Sequence, residues 1–402
     1  MLRRVAAAFS SRDFRILWLG AFASTVGTWM QKVAQSWLVF TLTGSTFFLG
    51  LDDFLGQLPV LLFTLIGGVI ADRHDRRQLL LGSQCVQMAS AFVLAALVYW
   101  NAVHVWHILT LSFVTGLAQA FGGPAYQSLI PSLIKKEDLP NAIALNSIQF
   151  NLARVIGPLL AGATLAAWGT AACFGLNGLS FLVVIAALLS LAVKHVPPTM
   201  RQGLRDELRD GLSYVRSHHA LVGLTTLAFL VTFLGLPLLT FLPVIAKEIF
   251  AEDMGGYSRM MAWAGAGAVS GALVVAWLGK FRHMGRTLFG VQIVFGLLVI
   301  LFSASRVLWL SHLLLFACGA ALIIVFSLTS SLVQLTVPDR LRGRVMGIYM
   351  VAFRGGMPLG SLAAGFAATR VSAPWVLAAN GALLLLVAAY FFGIDRRGVR
   401  DL

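Results

Sequence analysis

Three cations sit inside long apolar stretches of this sequence: Lys32, Arg154 and Arg354. A lysine or arginine at the centre of a membrane helix costs roughly 2.5–3.5 kcal/mol on insertion scales, so such a group is expected to face a partner or a wet cavity. Arg154 and Arg354 suit the attraction of an anionic or carbonyl-rich molecule; the alternative is a structural hydrogen bond to a neighbouring helix. Lys32 forms a second cluster with Asp52 and Asp53. An ion pair there would offset much of the burial cost, and a carboxylate so placed is a candidate proton carrier. Adjacent helical residues point about 100° apart, so only one of the two carboxylates is expected to meet Lys32. The alternative is that both touch outer water and do nothing. Gln31 and Gln35, one turn apart, and Gln149 are expected either to line a cavity or to tie helices together.

Covalent chemistry is not in view. The chain carries no GxSxG, no HExxH and no GxxxxGK[ST], so neither an intramembrane hydrolase nor an ATP-driven pump is expected. Cys85, Cys173 and Cys318 are each isolated in apolar surroundings and read as small core residues rather than metal ligands or a disulfide framework. No enzyme activity, metal or cofactor is therefore expected.

The elements that position these groups follow from composition. Of 402 residues, 58% are hydrophobic and only 11% charged, whereas a soluble domain usually carries roughly 25% charged residues. Apolar stretches long enough to cross the bilayer recur from end to end. They place spans at roughly 16–40, 47–71, 78–100, 104–130, 138–168, 171–193, 220–246, 259–279, 286–305, 308–335, 342–369 and 372–393. Of the 30 Lys and Arg, 23 fall in one set of alternating loops or at the span ends beside them, 4 in or beside the other set and 3 deep within spans. That asymmetry is expected for an even span count with both termini cytoplasmic. It also accounts for the net charge of +14 without a nucleic-acid partner.

The longest polar stretch, 194–219, divides the chain into two six-span halves, 1–193 and 220–402. Within it Leu204, Leu208, Leu212 and Val215 share one helical face, opposite Arg205, Asp206, Arg209 and Asp210. A short amphipathic helix on the cytoplasmic surface is expected. The halves also repeat. Residues 128–162 align without gaps on 331–365, with Phe150 over Phe353, Gly157 over Gly360 and Gly162 over Gly365. Parallel repeats of this kind place a substrate site near mid-membrane.

The loop after span 2 contains Gly68, Ala71, Asp72, Arg73, Arg76 and Arg77. It resembles the G-x-L-A-D-R-x-G-R-K loop of the major facilitator superfamily, with Asp75 standing where the family usually has glycine. The resemblance implies an all-α polytopic fold of twelve transmembrane helices in two pseudo-symmetric six-helix bundles. It also implies a cytoplasmic gate in which Asp72 faces the start of span 11, braced by the arginines. Gly157-Pro158-x-x-Ala161-Gly162 looks like the antiporter motif of that superfamily. Asp13-Phe14-Arg15, Gly27-Thr28-Trp29-Met30, Phe121-Gly122-Gly123-Pro124-Ala125 and Asn151-Leu152-Ala153-Arg154 look like the subgroup of bacterial exporters related to enterobactin and macrolide efflux proteins. Span 4 departs from many drug–proton antiporters of the superfamily in lacking an intramembrane arginine. The expectation is a monomeric exporter of a siderophore-like metabolite or drug in the cytoplasmic (inner) membrane, with protons and lipid as its other partners. Import of a small nutrient is the nearest alternative, and a non-transporting sensor or scaffold a more distant one.

Overall fold

The computed structural model describes residues 7–191, 204–279 and 281–393, apart from the side chains at 72, 204–210, 339, 340, 392 and 393. Every regular element among them is helical. The first six long helices are α1 (Arg12–Thr43), α2 (Thr46–Arg73), α3 (Arg76–Tyr99), α4 (Val105–Leu129), α5 (Leu139–Trp168) and α6 (Thr170–Ser190). A shorter α7 (Leu204–Ser217) precedes α8 (His219–Gly235), α9 (Met254–Leu278), α10 (Met284–Ala304), α11 (Leu308–Thr336), α12 (Asp339–Ala368) and α13 (Ala373–Gly393).

Ten helical segments among the described residues are long and apolar enough to cross a membrane, against twelve expected spans. The two long helices outside that set are α1, with 32 residues, and α12, with 30. Their shortfall is one of polarity, not length. Ser24, Thr25, Thr28, Gln31, Lys32 and Gln35 run along α1, while Arg342, Arg344 and Arg354 lie along α12. The helices that fall short on apolarity are thus two of those expected to carry the functional charges.

The chain folds into two compact units. Unit 1 comprises Met1–Gly44, Leu55–Met200 and Met254–Ala262; unit 2 comprises Ser45–Phe54, Arg201–Asp253 and Trp263–Leu402. Two helices therefore change unit along their length: α2 after Phe54, and α9 after Ala262.

Small residues set the packing within each unit, as expected where lipid removes the hydrophobic drive and van der Waals contact must replace it. In unit 1 a Cβ on Gly157 of α5 would lie 2.9 Å from the Val26 oxygen and 3.0 Å from the Met30 nitrogen of α1. In unit 2 a Cβ on Gly381 of α13 would lie 2.8 Å from the Gly296 oxygen of α10. The helix α7 packs by Gly211 against Arg344 and Ile348 of α12, each 3.1 Å from a would-be Cβ. Its side is thus engaged by unit 2; the expected amphipathic faces fall partly on side chains outside the described residues.

The segment His219–Ile249 is not one continuous α-helix. After α8 it continues as short turns over Pro237–Thr240 and Leu242–Val244, then a π-helical turn over Ile245–Ile249. Pro237 and Pro243 lack the N–H that would close the ladder, which interrupts the regular bonding around Thr240.

Candidate functional site

Asp53 lies in the part of α2 that belongs to unit 2, and it is buried. Its Oδ2 accepts a hydrogen bond from the Thr240 hydroxyl at 2.7 Å and from the Ser361 hydroxyl at 3.3 Å; the two hydroxyls lie 3.1 Å apart. Thr240 and Ser361 are also buried. One carboxylate oxygen thus joins α2, the interrupted segment after α8, and α12. The approach is close because glycines permit it. A Cβ on Gly50 would lie 2.9 Å from the Ser361 carbonyl carbon and closer still to its oxygen, and one on Gly365 would lie 3.2 Å from Gly50 Cα. The Thr46 hydroxyl donates to the Gly365 carbonyl at 3.1 Å. Asp52 is buried beside Asp53, and Lys32 belongs to unit 1.

Arg354 shares a stripe of α12 with Ser361 and Gly365, seven and eleven residues on, because seven residues make nearly two turns. That stripe changes character along the helix. Ser361 and Gly365 are covered by the start of α2, whereas Arg354 and Met350 are exposed. Exposed apolar residues in the second half of α12, Leu359 and Phe366, point well away from Arg354 around the helix. Arg354 is therefore not on the apolar side that Leu359 and Phe366 present.

The equivalent helix of unit 1 repeats the pattern. Ser147, Arg154 and Ala161 follow at intervals of seven on α5, with Pro158 beside them. Ser147 is exposed, Arg154 half-buried, and Pro158 and Ala161 buried. Gly162, at the covered end, packs against Ser258, 3.2 Å from a would-be Cβ to the Ser258 Cβ. Of the exposed apolar residues of α5, Leu152 and Leu159 lie on the other side from Arg154, whereas Ile143 and Phe150 share its stripe. The Arg154 guanidinium sits 5.6 Å from the centroid of the Trp29 ring, which in turn meets Phe150 edge to face at 5.9 Å.

The glutamines do two different things. The Asn177 amide donates to Gln31 at 2.7 Å, Gln31 to Gln35 at 3.4 Å, and Gln35 to the Ser112 hydroxyl at 2.8 Å. This chain ties α6, α1 and α4. Gln149 is buried and donates to the Thr25 hydroxyl at 3.2 Å, while the Tyr126 hydroxyl donates to Asn146 at 2.6 Å and reaches Gln149 at 3.5 Å. Of the two sequence readings, interhelical bonding is the one these distances describe for Gln149.

The whole chain has recognisable kin. A family model described as transmembrane secretion effector matches residues 5–399. The chain belongs to that family. It is a membrane transporter of the major facilitator superfamily, not an enzyme. Among similar proteins, the staphyloferrin A transporter of Staphylococcus aureus is 24% identical over 94% of this chain and 95% of its own length. Macrolide efflux protein A of Streptococcus pyogenes is 21% identical over 93% and 94%. The enterobactin exporter EntS of Salmonella typhi is 26% identical over 93% and 92%. In fold it is similar to a bacterial homologue of the human lysosomal transporter Spinster, solved inward-facing and unoccupied, with TM-score 0.80, 14% identity and coverage of 97% and 98%. The nucleoside transporter NupG gives TM-score 0.74 at 14% identity, covering 96% and 99%.

In this secretion-effector transporter the loop between α2 and α3 is fastened to unit 1 by charge. Asp75 caps α3, its carboxylate accepting from the Arg77 nitrogen at 2.8 Å and the Gln78 nitrogen at 3.3 Å. The residue that departs from the superfamily's glycine thus does a helix-capping job. The Arg76 guanidinium donates to the Ser128 carbonyl at 3.0 Å and that of Arg77 to the Leu189 carbonyl at 2.7 Å. Both carbonyls lie at helix C-terminal ends, where the macrodipole favours a cation. Arg73 ends α2 and is exposed; Gly68 has nothing within 4 Å of a would-be Cβ. The Asp72 side chain lies outside the described residues.

Thr240, Ser361, Gly50 and Trp29 escaped the sequence reading as site residues. The signal for Thr240 was present, a threonine set three residues from each of two prolines inside a span. Ser361 was marked by its spacing of seven from Arg354.

Proposed function

We propose that this transporter is a secondary exporter that works by alternating access, moving a siderophore-like metabolite or drug outward in exchange for protons. Its twelve helices form two six-helix bundles, 1–193 and 220–402, joined by 194–219, in the cytoplasmic membrane with both termini inside. It acts as a monomer.

The observation that carries this reading is the Asp53 node. A buried carboxylate held by two hydroxyls, at a helix interrupted between two prolines, matches the discontinuous helices on which transporters build ion sites. Asp53 is the proton carrier, Asp52 and Lys32 serve proton coupling, and the first turns of α2 are a latch that grips α12 on the outer side. Its release opens the stripe that is already open below, at Arg354. Gly68, Asp72, Arg73, Arg76 and Arg77 serve the cytoplasmic gate. Gly157, Pro158, Ala161 and Gly162 let α5 approach its neighbours closely. Export rather than import is favoured by the relatives named for efflux and export.

Proteoliposomes with an imposed pH gradient test this directly, using a catecholate siderophore and a macrolide as cargo. Accumulation against the cargo gradient should require a proton gradient and collapse with a protonophore. Asp53→Asn should lose gradient-driven accumulation yet keep downhill exchange. Normal coupling in a well-folded Asp53→Asn protein would overturn the assignment, and accumulation in the opposite sense would make the protein an importer.

A further inference from the structure

The turn between α3 and α4 carries two histidines whose hydrogen bonds fix where each imidazole keeps its proton. Asn101 turns the chain with a left-handed φ of 54°, and His104 is the N-cap of α4. The His104 backbone N–H donates to Nδ1 of His107 at 3.0 Å. A backbone N–H can only donate, so this Nδ1 is a bare lone pair and neutral His107 holds its proton on Nε2. Nδ1 of His104 lies 3.0 Å from the Ala102 carbonyl oxygen. A carbonyl can only accept, so His104 holds its proton on Nδ1. The two rings, with centroids 5.4 Å apart, are thus opposite tautomers.

A further proton therefore acts on them differently. On His104 it goes to Nε2 and leaves the bond to Ala102 intact. On His107 it goes to Nδ1, the atom that accepts from His104, and donor then faces donor. Histidine is the side chain whose charge ordinarily changes between pH 5 and 8. The broken bond is the half of a capping box in which the third helical residue reaches back to the N-cap N–H, so its loss uncovers the first turn of α4. The new charge also lies at a helix N-terminus, where the macrodipole disfavours a cation. The exposed Trp106 ring, its centroid 3.6 Å from that of His107, stays in contact with the charged imidazole.

Water reaches this turn, since His104 is exposed and His107 half-buried. Other titratable groups at this end of unit 1 are few. The last turn of α3 brings Tyr99, and α4 itself has none between His107 and Tyr126. Of the other helices packed on α4, α1 has Lys32 as its only charge beyond Arg15, and α2 from Leu55 on has none before Asp72. Asp52 and Asp53 are buried and belong to unit 2.

From this we infer that the α3–α4 turn is a pH-responsive element, in which His107 holds the start of α4 while neutral and releases it when protonated. The bond needs a lone pair, so it is present at higher pH and lost as pH falls. Placing the turn on the outer face, where it would sense the proton supply of the exchange, rests on the topology just proposed; the protonation chemistry does not.

Two measurements in detergent micelles, where both faces meet one buffer, test it apart from that topology. In nitrogen NMR spectra of the imidazoles at about pH 8, assigned with His104→Gln and His107→Gln, His107 should carry its proton on Nε2 and His104 on Nδ1. Hydrogen–deuterium exchange over residues 100–108, corrected for the intrinsic pH effect, should be about 2–30-fold faster at pH 5 than at pH 8. In His107→Gln the side-chain oxygen accepts at either pH, so the segment should stay protected throughout. His107→Ala should exchange fast at both values, and His104→Gln should keep the parent's response. If the alanine variant does not fold, the glutamine variant decides alone. The proposal is overturned if His107 carries its proton on Nδ1 in the neutral state. It is equally overturned if His107→Gln keeps the parent's pH response, or if the parent has none.

Discussion

Replacing Gly50 with alanine loads the latch at one atom. An ideal Cβ at this position would lie 2.9 Å from the Ser361 carbonyl carbon and 3.2 Å from Leu362 Cα, with the Ser361 oxygen nearer than either. These are backbone atoms of a 30-residue helix, so no flexible side chain can turn aside to admit the methyl group. Overpacking of this kind costs about 1–3 kcal/mol. The clash exists only while the start of α2 rests on α12, so the whole penalty falls on the latched arrangement. The equilibrium should then move toward release by about 5–150-fold. Leu49, 3% exposed in the same segment, supplies the reporter. With Cys85, Cys173 and Cys318 replaced by alanine, Leu49→Cys reacts with a bulky maleimide only when that segment lets go. In detergent, where sidedness plays no part, Gly50→Ala should speed labelling by the same 5–150-fold factor. Gly82→Ala, on α3 with nothing within 4 Å of its Cβ, should leave the rate unchanged. Equal labelling of parent and monodisperse Gly50→Ala protein would refute the reasoning, because the α2–α12 contact would then be a fixed joint.

Asp75→Ala removes the cap from α3 and should lower stability by about 0.5–2 kcal/mol, read as a fall in thermal midpoint, while transport per folded molecule stays the same. A transport defect out of proportion to that fall would mean that Asp75 belongs to the gate. In the Tyr126 network, Asn146→Leu should destabilise more than Gln149→Leu. Without Asn146 the half-buried tyrosine's hydroxyl keeps only the 3.5 Å contact to Gln149, and a poorly satisfied donor costs up to about 1–3 kcal/mol. Without Gln149, Tyr126 still donates to Asn146 and Thr25 to the Ala21 carbonyl, so the loss should be about 1 kcal/mol or less. Thermal unfolding of the two variants side by side decides it, and the reverse order would show that Gln149 holds the network.

Much of the site was written in residue types, and some of it was not. Arg154, Arg354 and Asp53 could be picked out because an ionised side chain in an apolar stretch is expensive wherever it points. The glutamines were undecidable, because a polar side chain one turn from another satisfies a cavity and an interhelical bond equally well. Gln149 resolved into a bond to Thr25, a residue 124 positions away. Ser361 and Thr240 had only spacing to mark them and no burial cost, since a hydroxyl can bond back to its own helix in any span.

Composition and the placement of Lys and Arg determined by themselves that the chain is helical and membrane-spanning. Those features follow from burial costs each residue meets alone, in any lipid-facing helix. That the opening turns of α2, through Phe54, group with unit 2 and those of α9, through Ala262, with unit 1 was not legible in the sequence. Tertiary structure alone decided that Asp53 would meet Thr240 and Ser361, and that Arg154 would lie on Trp29. Such pairings depend on which helices touch and at what depth, and small residues such as Gly50 and Gly365 set that depth by what they leave out.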